Sequence, residues 1–474
     1  MKAPKSWLTQ FINLNGVSNL DFAERMTFAG NKVDSLQKIN HDTIFDFEVT
    51  SNRPDTLSII GLAREASAIF TRPLKLPKAP KLSSLKNNPI SFNVSDQKLC
   101  PTYSLVEVAK VKVKPASKLI QSRLKLSGVE TVNNIVDVTN YLMLETGQPM
   151  HAFNADKIHG PLTLRAAKQG EKIIPLDHKQ RTLLGGEIII EDKEKLVDLA
   201  GLMGGLNTEI SSQTTRVLLL VPIYDPVSIR RASKNLGLRT EASLRFEKKL
   251  DLTQTPEVAL RAVKLLEKEA RGRQTTAILT HKATFKSPSI RLDARDASFR
   301  LGVTLSQNQI DDCLKPLAIK KTTSGYQPPP WRRDLAEPVD LIEEVARIFG
   351  YNKFPKTMPS GVIPTHPDAL APNWLRLIRN AVAALGFTET YRDTLIGQDT
   401  ITSLGLKPQT HLKVLHPMSK DYEYMRSTLM ENLIPSLVFN LGHSQNIKLF
   451  ELGTVFYPTQ SSTILPDQPT ELGL

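Results

Sequence analysis

The stretch "WRRDLAEPVDLIEEVARIFGY", residues 331–351, decides how the second half of this chain is read. Pro338 cannot continue a helix that arrives from before it, yet its fixed φ suits a first helical position, with Glu337 as the cap. From there Leu341, Ile342, Val345, Ile348 and Phe349 recur at spacings of three and four, which predicts an amphipathic helix with one apolar stripe. Asp340, Glu343 and Glu344 fall at i, i+3 and i+4 on the opposite side, where side chains neighbour one another. With Asp334 they set four carboxylates inside eleven residues of a chain whose formal net charge is +13. Acidic residues in a first helical turn complement the dipole, and Glu343 is spaced to pair with Arg347. Four carboxylates converging on a hard cation such as Mg²⁺ is the sharper alternative, and these residues alone leave both open.

On either side of this helix the chain reads as several α+β domains in series. Its 474 residues allow roughly three or four domains. At 40% hydrophobic and 23% charged, the composition is that of a folded soluble protein. No apolar run approaches the roughly 18–20 residues that span a bilayer. The start, "MKAPKSWLTQFINLNG", has no secretory h-region and predicts a short amphipathic helix capped at Ser6. Cys100 and Cys313 are too few and too far apart for a disulfide framework or a zinc site. A cytoplasmic, multidomain protein is expected. Four domains are expected within it, at 1–80, 90–280, 288–357 and 368–474. The segments "LKLPKAPKLSSLKNNP" (74–89) and "FPKTMPSGVIPTHPDALAP" (354–372) read as Pro-rich linkers between them. Within the second domain, "YDPVSIRRASKNLGLRT" predicts a helix capped by Asp225, opened by Pro226 and closed at Gly237.

Chemistry is harder to find. There is no P-loop, no Gly-x-Ser-x-Gly, no His-Glu-x-x-His and no dinucleotide fingerprint. "LAGLMGGLN" is Gly-rich but lacks the lysine and helix context of a phosphate cradle. The stretches "VAKVKVKPASKLIQSRLKLSG" and "SIRRASKNLGLRT" are locally basic, which suits either solvated surface or contact with phosphates. Residue chemistry stops at a protein that binds something anionic.

Five stretches taken in order go further: "FEVTSNRPDTLSIIGLAREASAIF" (47–70), "NNIVDVTNYLMLETGQPMHAFNADKI" (133–158), "LAGLMGGLNTEIS" (199–211), "DPVSIRRASKNLGLRTEASLRFEK" (225–248) and the opening stretch continued to Pro355. Together they resemble the bacterial phenylalanyl-tRNA synthetase β-subunit family. A weaker final stretch, 416–456, resembles that family's catalytic-like domain. The resemblance implies an α+β, multidomain fold: an editing-type α/β domain, a small α+β domain with an acidic Mg²⁺-binding helix, and a partial class II synthetase-like antiparallel sheet. It implies an α₂β₂ heterotetramer that joins phenylalanine to its tRNA, with ATP and the aminoacylation site on the α subunit. The strand triplet Phe450-Glu451-Leu452 has no arginine where a class II ATP motif needs one, so the last domain is expected to be structural. Mg²⁺ is expected at the interface with α, on Asp334, Asp340, Glu343 and Glu344. Hydrolysis of tyrosine mistakenly joined to the tRNA is expected from Thr139, Asn140, His151, Gly204, Thr240 and Ala242. The need is physical, since a pocket shaped for Phe rejects an added hydroxyl by only about 10²-fold.

Three departures bear on that expectation. Leu220 stands where many family members have an editing glutamate, "HAFN" replaces "HAFD", and "FEKK" replaces "FERG". Weakened or lost tyrosine editing follows as an expectation. "GNKVDSLQKINHDTIFDFEVT" passes straight through the point where many members carry an oligonucleotide-binding insert, and the family's C-terminal anticodon-binding domain is not in the sequence. A stand-alone hydrolase of mischarged tRNA is the alternative from another class, and a pseudo-enzyme binding nucleic acid through its basic face is a third.

Overall fold

"RVLLLVPI", Arg216–Ile223, is apolar beyond its first residue, as expected of a strand covered on both faces. It lies inside a five-stranded sheet, antiparallel to Thr102–Ala109 on one side and to His151–Asn154 on the other. The period of two divides its side chains. Leu218 and Leu220 enter one apolar core, and Val217 and Leu219 enter another on the opposite face.

The structure, a computed structural model, describes residues 1–77, 85, 90–361, 370–459 and 465–474, and divides into two compact units, Met1–Thr357 and Met358–Leu474. Most of the first expected linker, 74–89, and residues 362–369 of the second, 354–372, lie outside the described residues. In the first unit, strands Lys2–Pro4, Val33–Ile39 and Asp42–Phe47 form a small sheet with the last in the middle. Asn40 and His41 close its hairpin, Asn40 at a φ of 54° that asparagine tolerates well.

The expected division between 1–80 and 90–280 is not a division of the core. Trp7 stacks on Tyr141 with ring centroids 4.6 Å apart, Arg123 lies over Trp7, and Arg123 donates to the Tyr141 hydroxyl at 2.6 Å. Residues from both segments fill one apolar cluster. The N-terminal helix, Lys5–Leu8, begins at Pro4 without a side-chain cap, and Ser6 bonds Asp42 instead.

A second five-stranded sheet carries Phe92–Val94, Leu162–Ala166, Ile188–Glu191, Leu196–Leu199 and Met203–Gly204. The helix Pro226–Asn235 forms as its punctuation predicts, with the Asp225 carboxylate accepting from the Ser228 N–H at 2.8 Å and Gly237 at positive φ. The 288–357 region packs helices Ala294–Leu301, Gln307–Leu314 and Pro338–Phe349 around a two-stranded hairpin. Ala68 joins that core from the helix Ile59–Phe70.

In the second unit Leu449–Thr454 is the middle of three strands, parallel to Thr388–Glu389 and antiparallel to Thr470–Gly473. Glu451, from the triplet noted above, is buried and pairs with Arg426. Gly453 makes room for that arginine, since a Cβ there would meet its guanidinium at 2.3 Å. The carboxylate is therefore committed inside the unit.

Candidate functional site

The acidic helix is where it was expected, at Pro338–Phe349, but its carboxylates do not converge. Asp340 turns back to accept the N–H groups of Ala336 and Glu337 at 2.8 Å each. Glu343 is exposed and has no hydrogen-bond partner among the described residues. Asp334 takes a fork from Arg332 at 2.9 and 2.8 Å. Glu344 is buried between Arg332 and Arg347, and Arg347 also reaches Glu65, which in turn binds Arg53. The expected Glu343–Arg347 pair is replaced by Glu344–Arg347. One residue along a helix is a rotation of about 100°, and that step takes Glu344 off the polar side and under the helix. Burial alone would raise the Glu344 carboxyl, but Arg347 and Arg332 outweigh it and hold the group at about 2. Glu65 is held low in the same way by Arg347 and Arg53. A cation placed here would face three guanidinium groups. Among the described residues no cluster of three or more His, Cys, Asp or Glu side chains is arranged to hold a metal ion. Among the described residues, the four carboxylates expected to serve Mg²⁺ at the interface with α do not converge on one point.

The six residues expected around an editing site are brought together only in part. His151, Gly204 and Ala242 line one cleft of about 60 Å³, with Met150, Leu202, Met203, Pro222 and Phe246 as apolar walls. Gly204 is needed there, because a Cβ at this position would lie 2.3 Å from His151 Cε1. The ring packs edge-on against Phe153, makes no protein hydrogen bond among the described residues, and burial lowers its pKa to about 4. It is neutral at pH 7.

Thr240 sits beside the cleft. It caps the helix Glu241–Phe246, accepting from the Ser243 N–H at 3.1 Å, and donates to the carbonyl of Leu202 at 3.0 Å. Its hydroxyl proton is already spent. Thr139 and Asn140 belong to the helix Asn134–Thr146 and are not among the lining residues; Thr139 donates to the Val136 carbonyl. Leu220 pairs with His151 across the strands and is fully buried in the apolar cluster behind the cleft. Two further polar residues line the cleft that sequence reading missed, Asp198 and Tyr224. Neither lies in a recognisable motif. The pairing of Asp198 with Gly204 on the next strand is what places it there.

A broader groove of about 680 Å³ runs past the helix Pro226–Asn235. Arg230, Arg231 and Lys234 line it from that helix, joined by Lys248, Lys249 and Arg333, against only Glu247 and Asp334. The basic helix was visible in the sequence. That "FEKK" and the arginine of the opening stretch join it was not.

Comparison with known families matches residues 99–271 to the B3/4 domain, 290–351 to the tRNA synthetase B5 domain, and 354–474 to the phenylalanyl tRNA synthetase beta chain CLM domain. The phenylalanine–tRNA ligase beta subunit of Carboxydothermus hydrogenoformans is 34% identical over 440 residues, covering 90% of this chain and 55% of the relative. That of Protochlamydia amoebophila is 34% identical over 436 residues, covering 89% and 55%. A solved N-terminal fragment of the phenylalanyl-tRNA synthetase beta-subunit from Pyrococcus horikoshii aligns with 74% of this chain and 99% of its own, at 15% identity and a TM-score of 0.41. The chain spans about 55% of the length of the curated relatives it matches.

Proposed function

The chain belongs to the phenylalanine–tRNA ligase β-subunit family, and from that premise we propose that it serves as the β subunit of a cytoplasmic ligase joining phenylalanine to its tRNA with ATP. The observation that carries this is the succession of B3/4, B5 and CLM domain matches along one chain, with relatives named as β subunits over nine tenths of it. A free hydrolase of mischarged tRNA would need neither the acidic-helix domain nor the last one.

In this reading an α subunit, in an α₂β₂ assembly, holds ATP with Mg²⁺ and performs aminoacylation. Among the described residues no carboxylate cluster gathers for that ion, and Asp334, Asp340, Glu343 and Glu344 are this chain's candidates to meet it at the interface with the partner. The β chain supplies scaffold and tRNA contact. The six basic side chains of the 680 Å³ groove suit a sugar–phosphate backbone, since each cation placed on a phosphate releases counterions. The cleft at His151 suits the aminoacyl end. Its neutral imidazole can accept a proton from water, and the helix Glu241–Phe246 begins beside it.

Co-expression with the α subunit of the same genome tests the assignment. Phenylalanylation of the cognate tRNA is expected only with both chains present. A fully active α subunit without this chain, or the absence of any co-purifying α subunit, overturns it.

A further inference from the structure

Buried polar side chains are nearly always hydrogen-bonded within the protein. The cleft at His151 has two that are not. Asp198 is 3% exposed and Tyr224 2%, both line the cleft, and neither side chain has a hydrogen-bond partner among the described residues. An isolated buried carboxyl is costly to leave unpaired, so its retention points to a ligand. Its direction is fixed by the sheet. Asp198 stands opposite Gly204 in an antiparallel pair, which puts the carboxyl, the bare Cα of Gly204 and the imidazole lying on it along one face. The other walls are apolar, so the cleft is greasy along its sides and polar at its end. That is the profile of an aromatic ring with a hydroxyl at its tip.

We propose that Asp198, with the Tyr224 hydroxyl beside it, is the specificity-determining group of this cleft and reads the hydroxyl of an aromatic aminoacyl ester. This inference rests on the reading of the central domain as one that receives the aminoacyl end of tRNA. Burial raises the Asp198 carboxyl well above its ordinary value and raises Tyr224 as well, which favours the protonated form of each. A protonated carboxyl donates one hydrogen bond and accepts others, which satisfies a phenol on both counts. It offers no charge to attract an ammonium group. A phenyl ring would leave both groups unpaired, and sites of this kind reject the analogue that lacks the hydroxyl by about 10⁴–10⁵. The 60 Å³ available fits the tip of the side chain only, so the flexible walls Met150 and Met203 swing aside as the ring enters. The reaction is hydrolysis. Water oxygen bonds to the ester carbonyl carbon, the bond to the ribose oxygen breaks, and that oxygen leaves with a proton.

The test measures deacylation of Tyr-tRNA and Phe-tRNA by the complex of this chain with its α subunit, for wild type, Asp198→Leu, Asp198→Asn and Tyr224→Phe. Wild type is expected to hydrolyse Tyr-tRNA and spare Phe-tRNA. Asp198→Leu is expected to lose the Tyr-tRNA reaction by 100-fold or more while its thermal midpoint holds or rises, because an unpaired carboxyl has gone. A residue with a merely structural role would lower that midpoint. Asp198→Asn, which keeps a donor and an acceptor, restores most of the rate, and Tyr224→Phe shows an intermediate loss felt mainly in KM. Wild-type deacylation by Asp198→Leu overturns the proposal and leaves the editing reading standing. A wild-type complex that aminoacylates but never hydrolyses Tyr-tRNA overturns both.

Discussion

Glu343 and Glu344 are adjacent in the sequence and opposite in their surroundings. Glu343 is exposed, whereas Glu344 is buried between two guanidinium groups. Removing one member of a buried, hydrogen-bonded charge network leaves the others uncompensated, at a cost of about 3–5 kcal/mol. Glu344→Gln is therefore expected to lower the urea midpoint strongly. Glu343→Gln should stay within about 0.5 kcal/mol of wild type. The sign of the pH dependence follows from the depressed carboxyl. Glu344 is held at about 2 against an ordinary value of 4.5, so its stabilisation is complete above pH 4.5 and is lost as pH falls toward 2. Denaturation curves between pH 5 and pH 2 check this, and a slope unchanged by Glu344→Gln would refute it. The sequence showed the helix but not this network. Its other members, Glu65 and Arg53, lie almost 300 residues away and carry no local signal.

At the level of elements, legibility follows how local the cause is. Asp225, Pro226 and Gly237 each act within a turn of their own helix, and the helix formed as its punctuation indicates. Ser6 failed as a cap because a competing partner, Asp42, is supplied by a strand elsewhere. Gly204 was expected among the editing residues, and what its missing Cβ makes room for is the His151 ring. Gly204→Ala must push that ring away from a contact of 2.3 Å, and overpacking of this kind costs about 1–3 kcal/mol. Loss of Tyr-tRNA hydrolysis with a modest fall in thermal midpoint is the expected outcome. Unchanged hydrolysis would mean that the ring's position does not matter. His151 adds an acid sensitivity of its own. Burial lowers its pKa from 6.5 to about 4, so the unfolded chain takes up the proton first, and stability falls as pH drops from 6.5 toward 4.

On the scale of the whole molecule, the sequence located segments better than it located cores. The Lys- and Pro-rich run at 74–89 marks a change of segment, yet Trp7 and Tyr141 carry a single core across it. The second unit begins at Met358, within the other Pro-rich stretch. The basic groove has the same character. Its cations come from three separated stretches, around 230, 248 and 333, and only folding gathers them into one field. Such a field attracts a polyanion through the count of charges rather than through any one contact, which yields a quantitative expectation. Reversing Arg231 and Lys249 together should weaken tRNA binding uniformly across tRNA species. It should also flatten the slope of log affinity against log salt by about 0.7–0.9 for each phosphate contact removed. Binding measured over a range of salt concentrations separates this from misfolding, because a misfolded fraction lowers the amplitude and leaves the slope alone. A parallel line displaced downward, with its slope intact, would place the RNA on another face of the protein.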